Sequence, residues 1–280
     1  MYPDPRAVLT RTAPAPDSTV RYGDGPEHLA DVRLPAPVDG PPRPLVVVIH
    51  GGFWRAEYDR GHTSPLAADL ASRGYPVAQL EYRRTGQVDG GWPGTLDDVL
   101  TGVAALPDLV EPLLSGTGSS SGRGSGRPGP ILLGHSAGGQ LALHCARHLP
   151  GRVGGVLALA PVSDLAEAYR LDLDGGAVAA LLGGGPDEFP GRYAVADPFH
   201  AAVESSGSDR SSQVAEYSPT VILHGALDAQ VPVGMSRRYA AVAGSNCRLI
   251  ELPECEHFGL IDPESPAWHT VTDALLSLHR

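Results

Sequence analysis

Short apolar runs rich in β-branched residues alternate along this chain with stretches whose apolar positions return every three to four residues. The first pattern predicts strands and the second amphipathic helices. Strand-like runs occupy residues 45–49, 76–82, 131–133, 156–160, 220–223 and 248–252, preceded by short ones at 18–22 and 30–34. Helical periodicity appears at 64–72, 96–106, 140–148, 236–242 and 270–279. This alternation predicts parallel βα units, and so an α/β fold: a doubly wound, mostly parallel central sheet flanked by helices. Residues 162–219 are too long for an ordinary connection and carry a helical pattern near 177–182, which predicts a small cap or lid inserted into a single domain spanning 1–280. Residues 116–130 and 205–212 are rich in glycine and serine without apolar period and read as flexible surface loops.

Candidate chemistry gathers where the strand-like runs end. The run at 131–133 leads into Gly134-His135-Ser136-Ala137-Gly138 and then into a helical stretch, the strand–turn–helix context of a nucleophilic serine. A serine hydroxyl is a weak nucleophile near neutral pH, so Ser136 needs a base and a group to orient that base. Two such residues follow in order. Asp228 lies just past the run at 220–223 in HGALDAQVP, and His257 lies past the run at 248–252 in CEHFG. Open α/β sheets place their sites beyond the carboxyl ends of strands. Taken singly, Asp228 reads as a turn residue and His257 as a loop histidine; together they point to Ser136 as nucleophile, His257 as base and Asp228 as its orienter. The run at 45–49 breaks into His50-Gly51-Gly52-Phe53-Trp54. Acyl transfer builds negative charge on the former carbonyl oxygen, and Gly51 or Gly52, or both, with Ala137, are the expected N–H donors to it. Phe53, Trp54, Trp92 and Phe258 are candidate pocket walls, while Tyr169, Phe189, Tyr193 and Phe199 fit either a pocket wall or the core of the cap.

These segments resemble the α/β-hydrolase superfamily from roughly residue 20 to the C-terminal helix. Within it, HGGFW resembles the HGGxW signature of the kynurenine formamidase group, near the HGGG-bearing lipases and esterases. The resemblance implies the same roles for Ser136, Asp228 and His257, an oxyanion hole at the glycines of His50-Gly51-Gly52-Phe53-Trp54, and a serine hydrolase of small-acyl esters or amides. Its most specific form is an aryl formamidase acting on an N-formylkynurenine-like substrate. A general carboxylesterase is the close rival, and an inactive ligand-binding hydrolase fold is a third possibility. The motif departs from many formamidases in having Phe53 where they carry tyrosine. Homodimerisation is common among such enzymes, although no strip of residues here identifies an interface.

Composition narrows the partners. A formal charge of -11 argues against nucleic acid, which needs a dense basic patch. No lysine occurs, so all 21 basic residues are arginines, which excludes Schiff-base, P-loop and serine–lysine chemistry. Cys145, Cys247 and Cys255 lack paired metal-ligand spacing, and His144 and His148 stand four apart without a third ligand, so neither a metal nor any other cofactor is expected. The segment 124–129 matches a dinucleotide fingerprint in letters only, since it precedes a strand. The first residues hold no continuous apolar core, and no later segment offers the roughly 18 apolar residues that span a bilayer. A cytoplasmic enzyme without a membrane partner is the expectation.

Overall fold

One sheet organises the computed structural model, which describes residues 4–115, 129–207 and 218–279. Its strands are β1 (Ser18–Arg21), β2 (Leu29–Arg33), β3 (Val46–Ile49), β4 (Val77–Leu80), β5 (Ile131–His135), β6 (Gly155–Leu159), β7 (Thr220–Gly225) and β8 (Cys247–Leu252), in the spatial order β1-β2-β4-β3-β5-β6-β7-β8. β1, β2 and β4 pair antiparallel, and every pair from β4 to β8 is parallel. The predicted α/β-hydrolase fold, with its mostly parallel sheet, is the one observed.

Burial on both faces explains why the central strands read as unbroken apolar runs. Every residue of β3, β5 and β6 is buried. Alternation then sorts them. Leu132 packs into one layer with α2 (Gly94–Ser115) and α3 (Ala137–His148), whereas Ile131 and Leu133 pack into the other with α1 (Ser64–Ser72) and α9 (Trp268–Ser277). The second layer also takes Val8, fully buried, from a 3₁₀ turn at Pro5–Thr10. Arg11, just past that turn, ion-pairs with Asp262, and the Arg6 guanidinium lies over the Phe258 ring.

Three sequence expectations need amendment. The helix expected to stop at Leu106, before Pro107, continues through Pro107 and Pro112 to Ser115. Each proline forfeits one backbone hydrogen bond, but Val110 beyond the first proline is buried and ties that turn to the core. Residues 162–219 hold more than one short helix: α4 (Leu165–Arg170), α5 (Ala177–Leu182), α6 (Pro190–Ala196) and α7 (Pro198–Gly207), ahead of α8 (Val233–Val242) in the main fold. Residues 205–207, expected in a loop, close α7, while 116–128 and 208–217 lie outside the described residues. Among the described residues, no helix is long and apolar enough to cross a membrane, and no cluster of three or more His, Cys, Asp or Glu could hold a metal ion.

Candidate active site

Because β3, β5, β7 and β8 run the same way, the loops after them converge at one end of the sheet. Ser136 stands between β5 and α3 with φ 56° and ψ −119°, a conformation that costs a non-glycine residue about 1–3 kcal/mol. β6 holds it there: the Ser136 N–H donates to Leu159 O at 2.8 Å, and Ser136 O accepts from the Val162 N–H at 3.1 Å. The flanking glycines are required by contact. A Cβ on Gly134 would lie 2.2 Å from Gly138 O, and one on Gly138 would lie 2.0 Å from Ile49 O. The Ser136 side chain makes no capping bond to α3, which leaves the hydroxyl uncommitted to the helix.

The loops after β7 and β8 bring Asp228 and His257 into contact. His257 Nδ1 lies 2.6 Å from Asp228 Oδ2, and Asp228 Oδ1 accepts from the N–H groups of Gln230 and Val231, both at 2.8 Å. Burial alone would push this carboxyl up, but hydrogen bonds from His224 and His257 and from the backbone outweigh it and hold Asp228 well below the usual carboxylate range. With Nδ1 engaged, Nε2 is the nitrogen of His257 left to take a proton. His135 steadies the same loop: its Nε2 lies 3.1 Å from His257 O, and the two rings sit 4.4 Å apart. Burial first, then the nearby His257, keeps the His135 imidazole well below its ordinary range and therefore neutral.

The loop after β3 supplies uncommitted N–H groups. Arg55 N–H donates to Gly52 O at 3.0 Å, closing a turn whose central residues, Phe53 and Trp54, have φ of 48° and 58°. Such values are outliers for bulky residues. Among the described residues, no acceptor engages the N–H of Gly51, Gly52, Phe53 or Ala137. At the root of the loop, buried His50 bonds Gly51 O through Nδ1 at 2.8 Å and Glu81 Oε1 through Nε2 at 2.9 Å. Burial works against charge on Glu81, yet His50, Arg84 and the Arg60 N–H pull it down to about 2.

The pocket expectation is corrected at Trp54. Its side chain is fully buried and its Nε1 donates to Gln140 Oε1 at 3.1 Å, so it packs beneath the loop and offers substrate no surface. Phe53 belongs to the same buried layer, with Trp92 half-buried against it, and Phe258 sets its ring edge-on to His257 at 5.1 Å. Asp164 caps α4 through the Glu167 N–H at 2.8 Å. Sequence reasoning missed Glu81, Gln140 and His224. Only His224 left a signal, standing four residues before Asp228 in the HGALD segment.

Comparison with known proteins agrees with this architecture. A model described as the alpha/beta hydrolase family matches residues 46–267. The chain is similar to esterase LipC of Mycobacterium tuberculosis, 26% identical over 284 residues that cover 93% of this chain and 65% of that protein. It is also similar to the isoprenylcysteine alpha-carbonyl methylesterase ICME of Arabidopsis thaliana, 34% identical over 124 residues, 44% of this chain and 26% of the plant protein. The chain thus spans less than two thirds of either relative. Among solved structures, esterase B from Lactobacillus rhamnosis superposes with a TM-score of 0.70 at 20% identity, covering 95% of this chain and 87% of that one. A Thermogutta terrifontis esterase with propionate bound gives a TM-score of 0.66 at 18% identity, over 93% and 92% of the two chains. At these identities the two structures speak to the fold alone.

Proposed function

Since this chain belongs to the alpha/beta hydrolase family, we propose that it is a serine carboxylesterase, with Ser136 as nucleophile, His257 as base and Asp228 as orienting acid. The observation that carries the reading is the 2.6 Å contact of His257 Nδ1 with Asp228 Oδ2, on loops that converge with the strained turn at Ser136. Ser136 Oγ attacks the ester carbonyl carbon as its proton passes to His257 Nε2. Negative charge on the tetrahedral oxygen is met by the N–H of Ala137 and by those of Gly51 and Gly52, with Phe53 a further candidate donor. The C–O bond to the alcohol then breaks, and the imidazolium returns its proton to the departing oxygen. Water, deprotonated by His257, attacks the acyl carbon, the bond from that carbon to Ser136 Oγ breaks, and the imidazolium returns its proton to Oγ as the carboxylic acid leaves. No step calls on a bound cofactor.

Esterase names among the curated relatives favour an ester over a formamide. The aryl formamidase reading rests on HGGFW, and it is tested by the same experiment. Steady-state hydrolysis of p-nitrophenyl acetate and of N-formylkynurenine is compared for the wild type and Ser136→Ala. Ester turnover that falls by about 10⁴-fold or more in the variant is expected. Formamide preference would move the assignment to formamidase. Turnover that survives the substitution would sink the role given to Ser136, and silence on both substrates, with stoichiometric ligand binding, would favour the inactive receptor.

A further inference from the structure

His224 is the penultimate residue of β7, fully buried, and takes no part in the reaction outlined above. Its Nε2 lies 2.9 Å from Val231 O and 3.3 Å from Asp228 Oδ2. Its Nδ1 lies 2.7 Å from the hydroxyl of Ser236, a fully buried residue of α8. A backbone carbonyl can only accept, so Nε2 carries a hydrogen, and the Ser236 hydroxyl is placed to donate to Nδ1. The Val231 carbonyl thereby selects the tautomer of His224, the Ser236 hydroxyl of α8 satisfies its other nitrogen, and the single Nε2–H reaches both ends of the turn that carries the acid. Asp228 Oδ1 is already held by two backbone N–H groups, while Oδ2 is shared by His257 Nδ1 and His224 Nε2.

We propose that His224, oriented by Ser236, is a positioning residue that fixes the rotation of the Asp228 carboxylate and so the aim of the His257 imidazole. The proposal rests on the roles assigned to Ser136, His257 and Asp228. Without His224, Oδ2 keeps one partner and Val231 O loses its own, so the turn at 228–231 is free to drift. A buried group of this kind could instead serve stability alone, and catalysis separates the two. Besides Asp228, the charged group facing His224 is Glu251, its ladder partner on β8, which is ion-paired with Arg237 from α8.

The test uses the full chain with His224→Leu, His224→Gln and Ser236→Ala. Glutamine extends an N–H to about the position of Nε2, whereas leucine supplies none. For His224→Leu, kcat on an activated ester should fall about 10²-fold with KM nearly unchanged, the size of effect a small misplacement near the chemistry produces. His224→Gln should recover most of that loss, and Ser236→Ala should show a smaller fall of the same kind. In the proton NMR spectrum, the far-downfield resonance of the His257 Nδ1–H should weaken in the leucine variant and return in the glutamine variant. Wild-type kcat in folded His224→Leu, or equal damage from glutamine and leucine, overturns the proposal. Should His224→Leu fail to fold, an unchanged kcat and downfield proton in Ser236→Ala overturns it equally. Fluorophosphonate labelling of the wild type at Ser136 keeps the two readings apart: labelling without any response to the His224 variants sinks this proposal alone, and full activity in Ser136→Ala sinks the catalytic roles beneath it.

Discussion

Buried acids in this protein obey opposite rules according to their partners. Asp228 and Glu81 have enough donors to lie below the ordinary carboxylate range, whereas Asp197, also buried, is lifted above it. It accepts from the N–H groups of Ala166 and Phe199, but burial, the largest influence, together with nearby Asp164, lifts it to about 6. The raised value fixes the sign of a pH effect. Between about pH 6 and the ordinary carboxylate range, the native state holds a proton that the unfolded chain has released, so this group adds stability as pH falls through that window. In paired thermal melts from pH 7 to pH 4, the wild type should gain on Asp197→Asn as pH drops; a constant difference between them would refute the assignment. The contrast also marks what single residues disclosed. Ser136, Asp228 and His257 were readable because each follows a strand in a recognisable local string. Glu81 was not, since its meaning comes from His50, 31 positions away.

Elements, more than single side chains, tie the loop after β3 to the rest of the molecule. Gln140, on the first turn of α3, accepts from Trp54 Nε1 and donates to Ala196 O at 2.9 Å, so one buried amide joins the 50–54 loop to α6. Arg55 makes a second link, through its hydrogen bonds to Asp174 and Gly175 before α5. Gln140→Leu keeps the volume and removes both bonds, leaving two buried polar groups without partners, each worth about 1–3 kcal/mol. Denaturant titration should report the sum, and kcat should fall with stability because Trp54 anchors the loop. A variant as stable as the wild type would show that these groups find other partners. For the helices packed on the sheet, existence was legible but extent was not. α2 outran its apolar signal because buried Val110 holds a turn that its proline would otherwise weaken, whereas in the 162–219 segment only α5 was anticipated and α4, α6 and α7 were not.

At the scale of the whole molecule, the parallel character of the sheet was implicit in the alternation of strands and helices, since parallel neighbours need a crossover between them, whereas its order, with β4 between β2 and β3, was not. The role of the first residues was not implicit. Nothing in PRAVLT resembles a core element, yet Val8 packs beneath the sheet with Leu260 and Ile261, next to the loop that carries His257. Val8→Asp would place an unpaired charge there, at a cost of more than about 2 kcal/mol. Hydrogen exchange should then quicken at residues 257–262 before it does in the central strands; uniform acceleration would show that this contact belongs to the general core. The same contact orders events during synthesis. Arg11 and Asp262 lie 251 positions apart, so the early segment meets its partner only after the intervening chain has been made. The strands β3 to β6 that frame the serine turn precede that partner in the chain, and the loop bearing the proposed base is clamped only when both segments are present, so a chain stopped before residue 257 would carry the serine turn and still be unable to turn over substrate.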